Sequence, residues 1–248
     1  MIEIRNLQKS FGSKPVLRGV NLDIQQGESQ IIIGRSGCGK SVLLKHIIGL
    51  VQPDAGQIYV DGEEVTAAST RDLYRMRRKF GMLFQGAALF DSMTVGENVA
   101  LGVREHRMFD EAEINRRVAE KLQLVRLPNT QHLKPAELSG GMKKRVGLAR
   151  ALMMDPEFVL YDEPTTGLDP ITSDAINELI IECNQQLGVT SIVVTHDMIS
   201  AYKVGNRFAM LHNGEVIFTG ATDEVRRTNH PVVKQFIEGR ADGPLEVY

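Results

Sequence analysis

Lys40 and Ser41 close the stretch Gly34-Arg35-Ser36-Gly37-Cys38-Gly39-Lys40-Ser41, and its residue types at this spacing suit the holding of a polyphosphate. Glycines let consecutive backbone N–H groups turn inward on phosphate oxygens, and a following helix start adds positive potential there. Lys40 would then reach the outer phosphates, and the Ser41 hydroxyl would ligate Mg²⁺. The flanks agree with that use. Gln30-Ile31-Ile32-Ile33 is an apolar run suited to a buried strand, and Val42 opens a run to Ile48 that reads as a helix. A plain glycine turn between two core elements is the alternative, and it has no need of the Lys-Ser ending.

Other candidates stand at the ends of apolar runs. Phe158 to Tyr161 leads into Asp162 and Glu163, and Ser191 to Thr195 leads into His196. In open α/β sheets ligands lie beyond the carboxyl ends of the strands, which directs these polar groups toward the phosphates. An acidic pair can also merely begin a loop, and a histidine there can be a cap or core residue. Gly81 to Phe84 reads as a buried strand ending at Gln85. Phe11-Gly12 is expected in a loop, where the ring either plugs the core or stacks on a base. Ser139-Gly140-Gly141 reads as a second helix start able to hydrogen-bond an anion, with an ordinary serine cap as the alternative.

The elements that must position these residues are legible by period. Ile2 and Ile4, like Val20, Leu22 and Ile24, alternate with polar residues, as antiparallel strands with one polar face do. Asp61-Gly62 and Asn213-Gly214 mark hairpins. Residues 86 to about 155 lose strand signals, and Ile114, Val118, Leu122 and Val125 share one helical face, as a helical insertion into an α/β core would. Asp169-Pro170 begins a helix striped by Ile176, Leu179, Ile180, Cys183 and Leu187 and ended by Gly188. The tail from Thr222 is expected to hold one helical segment, with 239–244 not helical. Arg71, Arg75, Arg77, Arg78 and Lys79 read as a solvated basic face, with a phosphate or lipid-headgroup contact as the minority reading.

Composition narrows the class. The 248 residues suffice for one large domain or two small ones, and a net charge of -2 gives no case for general nucleic-acid binding. Two cysteines make a disulfide framework unexpected and fit a reducing compartment. With no apolar run near ~18 residues and no signal-peptide core, the expectation is a chain that is cytosolic or peripheral to a membrane.

Leu138-Ser139-Gly140-Gly141-Met142 and the following Lys143 to Leu152 resemble the signature sequence of ABC-transporter ATPases, with Met142 where Gln is commonest. The resemblance runs along nearly the whole chain in the family's order. Phe11 matches the adenine-stacking aromatic, 34–41 the Walker A loop and Gln85 the Q-loop glutamine. Asp162 with Glu163 matches the Walker B end, Asp169 the D-loop and His196 the switch histidine. It implies an α/β P-loop NTPase with a RecA-like core (1–85 and 156–220), an N-terminal antiparallel β subdomain, a helical subdomain (86–155) and a C-terminal helix and tail (221–248). It further implies ATP and Mg²⁺ bound between two copies, the metal on Ser41, Gln85 and Asp162. Glu163 would activate water, with Lys40, Gln85 and His196 assisting, and Ser139, Gly140, Gly141 and Asp169 would contact nucleotide.

A narrower resemblance lies in Gly86-Ala87-Ala88-Leu89-Phe90-Asp91-Ser92, Arg104-Glu105-His106 and the run 236–244, which look like the ATPases of Mce/Mla-type phospholipid transporters. That implies a permease, an MCE-domain binding protein and a STAS-domain protein as partners, at the cytoplasmic face of the inner membrane. An importer ATPase for another small substrate, such as an amino acid, is the alternative. ABC proteins acting on DNA or ribosomes usually carry coiled coils or two cassettes, for which 248 residues leave no room.

Overall fold

The alternation at the N-terminus becomes β1 (Ile2–Phe11), antiparallel to β2 (Lys14–Ile24), in the computed structural model, which describes residues 1–245. The wholly buried β3 (Ser29–Ile33) follows, then α1 (Lys40–Ile47) and the strands β4 (Ala55–Val60) and β5 (Glu63–Glu64). These last two pair across Asp61 and Gly62, whose φ values of 50° and 80° fit a primed hairpin turn. One sheet has the order β2-β1-β4-β5. Next comes α2 (Thr70–Arg77), where Arg71, Arg75 and Arg78 are exposed, as a solvated basic face requires. The chain forms two compact units; the first is Met1–Leu73 with the chain from Ile192 onward, and the second is Tyr74–Ser191.

In the second unit, β6 (Phe80–Leu83) precedes α3 (Val95–Glu105), α4 (Glu111–Leu124) and α5 (Gly140–Leu152). A capping box between Thr94 and Glu97 starts α3, and the buried Asn98 holds Phe90 through its backbone N–H and carbonyl at 2.8 and 3.1 Å. Ile114, Val118, Leu122 and Val125 are all buried, so the periodic stripe is the packing face. Strand β7 (Phe158–Asp162) runs parallel to β6, with the Phe80 and Phe158 rings stacked at 5.0 Å. Asp169 caps α6 (Pro170–Leu187), and Gly188 ends it with φ 65°. Ile176, Leu179, Ile180 and Cys183 are buried as expected, but Leu187 is 44% exposed, since the last turn passes beyond the surface that the stripe covers.

Strand β8 (Thr190–Thr195) crosses the boundary into the first unit, which continues with α7 (Met198–Val204), β9 (Arg207–His212) and β10 (Glu215–Ala221). There the strand order is β10-β9-β3-β8, with β3 parallel to β9. Burying side chains such as Ile31, Ile32, Phe208 and Met210 stabilises this core by about 1.5–3 kcal/mol each. The tail differs from expectation. It holds two helices, α8 (Thr222–Arg227) and α9 (Pro231–Glu238), because Pro231 cannot continue a hydrogen-bonded helix and instead begins a new one. Gly239, with φ 64°, ends α9, and 239–244 is not helical; the last three tail residues, 246–248, lie outside the described residues. Among the described residues no helix is long and apolar enough to cross a membrane.

Candidate functional site

The first unit carries the glycine loop. Strand β3 delivers it from the core, and Gly34 leaves at φ 153° so close to β9 that a Cβ would sit 2.3 Å from the Leu211 carbonyl oxygen. Gly39 takes φ 110° to start α1, whose first turn has neither a side-chain cap nor an acidic residue. A first turn of that composition suits an anion. Lys40 is 5% exposed, and its Nζ donates to the carbonyls of Gly34 at 2.7 Å and Arg35 at 3.1 Å. The lysine thus spans the loop from within. Ser36 and Gly37 are exposed, Arg35, Cys38, Ser41 and Val42 half-buried. A cavity of about 240 Å³ borders Gly37 and Cys38, with Lys14, Arg18 and Gly214 among its lining.

Two further candidates belong to this unit. Phe11 is the last residue of β1, paired with Lys14 across a tight turn, and not a loop residue. Its ring is 51% exposed, which removes the core-plug reading, and the Lys9 ammonium lies 5.6 Å from its centre. A flat face open to solvent is available for stacking. His196 is exposed just past β8, where the Asp197 N–H donates to the Thr195 hydroxyl at 2.9 Å. Behind the loop, His46 on α1 donates from Nδ1 to the Val42 carbonyl at 2.7 Å, since a carbonyl only accepts. Burial holds this imidazole below its ordinary pKa, with Lys9 acting in the same direction.

The second unit carries the carboxylates. Asp162 and Glu163 are 6% and 7% exposed at the end of β7, and Glu163 has a left-handed φ of 48°. The Thr166 hydroxyl donates to Glu163 Oε2 at 3.1 Å. Lys144, on the buried side of α5, donates from Nζ to the backbone carbonyls of both Gln85 and Glu163, the latter at 3.1 Å. Burial pushes its pKa down, while Asp162 and Glu163 oppose that shift. The Gln85 residue is itself exposed. Beyond it, Arg150 donates to the carbonyls of Ala87 at 2.6 Å and Ala88 at 2.7 Å, two residues with positive φ.

Ser139 makes the ordinary cap bond, accepting from the Met142 N–H at 3.3 Å, and the Gly140 and Gly141 amides lie in the same first turn of α5. That turn contains no acidic residue, so its dipole is not neutralised. Asp169 accepts from the N–H groups of Ile171 and Thr172, both at 3.0 Å, and from the Thr172 hydroxyl at 2.6 Å. These bonds, the hydroxyl's above all, hold its carboxyl below the usual range.

The expected site residues therefore fall into two sets. Phe11, 34–42 and His196 lie in the first unit; Gln85, Ser139, Gly140, Gly141, Asp162, Glu163 and Asp169 lie in the second. The hydroxyl of Ser41, the amide of Gln85 and the carboxylate of Asp162 are all oxygen donors, the ligand type a hard cation such as Mg²⁺ takes. Among the described residues no three His, Cys, Asp or Glu gather as a metal site. Sequence reasoning missed Lys144, Arg150 and Thr166. For Lys144 a signal existed: with Gly141, Leu148 and Ala151 it falls on one helical face, and that face is buried.

The family model described as ABC transporter matches residues 17–166. A Mycobacterium leprae protein named probable ribonucleotide transport ATP-binding protein mkl is 44% identical over 98% of this chain and 70% of its own length. The Haemophilus influenzae intermembrane phospholipid transport system ATP-binding protein MlaF is 39% identical over 99% of this chain and 93% of its own. The Carboxydothermus hydrogenoformans methionine import ATP-binding protein MetN is 43% identical over 96% and 71%. Among solved structures, the dimeric post-hydrolysis state of the ATP-binding cassette MJ0796 with ADP and Pi superposes with a TM-score of 0.83, at 35% identity, covering 90% of this chain and 99% of that one.

Proposed function

The chain belongs to the ABC transporter family and is an ATP-binding, ATP-hydrolysing P-loop cassette, and from that premise we propose that it powers phospholipid transport between the inner and outer membranes. The observation that carries the cargo is 39% identity, spread over 99% of this chain, to a protein named for intermembrane phospholipid transport. The stretches 86–92, 104–106 and 236–244 support the same choice. A second reading, an amino-acid importer, is favoured by the relative named for methionine import.

In the proposed mechanism the loop amides of residues 34–41 and the α1 N-terminus bind the phosphates, while Phe11 stacks on the base. Lys40 exchanges a loop carbonyl for an outer phosphate oxygen. Mg²⁺, on Ser41, Asp162 and Gln85, would neutralise charge on the transferring phosphoryl group. Glu163, its carboxylate steadied by Thr166, orients or deprotonates the attacking water, and His196 holds the γ-phosphate and that water. Ser139, Gly140 and Gly141 of a second copy face that phosphate, and Asp169 lies beside the same junction. Gln85 relays nucleotide state to the helical segment, which docks on a permease at the cytoplasmic face of the inner membrane. An MCE-domain protein and a STAS-domain protein complete the assembly.

Affinity purification from membranes tests this reading. Recovery of a multispanning permease with bound phospholipid, and ATP-dependent lipid movement on reconstitution, is expected. A permease that moves an amino acid instead would replace the cargo with the second reading.

A further inference from the structure

Lys144 joins two segments that carry the second unit's chemistry. It is 5% exposed, and its ammonium donates to two backbone carbonyls, those of Gln85 and Glu163. These carbonyls lie just beyond the carboxyl ends of the adjacent parallel strands β6 and β7. Lys144 itself lies one turn into α5, the helix that begins at Gly140 and Gly141. One side chain therefore ties the end of β6, the end of β7 and the glycine-bearing helix together.

Packing alone does not account for a lysine here. Burying an ammonium is costly, and an apolar chain of similar length would fill the space without that cost. What only a multiple donor can do is hold two carbonyls at once. The second carbonyl matters because Glu163 is in the left-handed region, uncommon for a non-glycine residue, and it persists only where surrounding bonds fix it. The φ of Glu163 sets where its Cβ, and so its carboxylate, projects.

We propose that Lys144 is a positioning residue, whose ammonium clamps the main chain at Gln85 and Glu163 so that the Glu163 carboxylate is held ready to activate water. The proposal rests on the ATPase reading of Glu163 given above.

The test uses the full chain and two readouts, steady-state ATP hydrolysis and ATP affinity from nucleotide titration. Lys144→Met should lower kcat about 10-fold or more while ATP affinity changes by less than about twofold. Lys144→Arg, which keeps several donors, should recover most of that loss. A Met variant with wild-type kcat overturns the proposal. So does a parallel fall in kcat and affinity that arginine does not mend, which is the pattern of a merely structural role. If the Met variant does not fold, Lys144→Gln carries the test, with reduced kcat and intact affinity expected and wild-type kcat overturning it. Glu163→Gln is measured alongside. If it turns over normally, the role of Glu163 fails; if it stalls while Lys144→Met is normal, only the clamp fails.

Discussion

At the scale of single residues, the account turns on a few donors and one carboxylate. Lys40 is buried and already spans the loop, so its ammonium is fixed where phosphate would arrive. A charge-assisted hydrogen bond contributes about 1.5–3 kcal/mol. Lys40→Ala should therefore weaken ATP binding about 10- to 100-fold, and unchanged affinity in a titration would remove the lysine from the site. Glu163→Gln keeps the size of the side chain but loses the base, so turnover should fall about 100-fold or more with ATP binding retained. Phosphate release near the wild-type rate would contradict it. Cys38 is half-buried in the loop beside the 240 Å³ cavity. Mg-ATP should slow its alkylation, which a thiol-reactive dye would report; a rate indifferent to nucleotide counts against the loop as the phosphate site. The loop was legible because its chemistry needs glycines, a lysine and a hydroxyl at fixed spacing. The bonds of Lys144 were not, although its place on a buried helical face was, because no local spacing announces a backbone carbonyl 59 residues away. Thr166 lies only three residues from Glu163, but its residue type alone does not single it out as the donor.

At the scale of elements, the helix starts differ in what closes them. Helices α3, α5 and α6 are closed by their own side chains, Thr94, Ser139 and Asp169, whereas α1 has no side-chain cap. Asp169→Ala should lower the urea midpoint of unfolding, because the helix loses its side-chain cap. No change would mean that its three bonds contribute nothing. Acid should act on α1 through His46. Its folded pKa is lowered by burial, so on acidification the unfolded chain takes up the proton first. Stability from this group is whole above about pH 6.5 and declines below it. Urea midpoints at pH 7.5 and 5.5 should differ less in His46→Gln than in the wild type. Period and turn chemistry carried most element assignments, including both Asp-Gly and Asn-Gly hairpins. They failed at the ends of elements. Lys14 pairs with Phe11 and draws that residue into β1, and Pro231 divides the tail into two helices.

At the scale of the whole molecule, the phosphate loop and the carboxylates sit on different compact units, and the glycine-bearing start of α5 belongs with the carboxylates. The proposed answer is a second copy, each copy's Ser139 and glycines completing the site built on the other's Lys40. Twofold symmetry then gives two equivalent sites. Neither spacing nor period in one chain reports contacts made between chains, which is why this part was readable only through family resemblance. The most direct measurement is the solution mass of Glu163→Gln by light scattering, with and without Mg-ATP. The account predicts a mass that doubles when Mg-ATP is added and returns to that of one chain when ADP replaces it. A single-chain mass at saturating ATP, with the wild type hydrolysing ATP at a rate per chain independent of concentration, would contradict it.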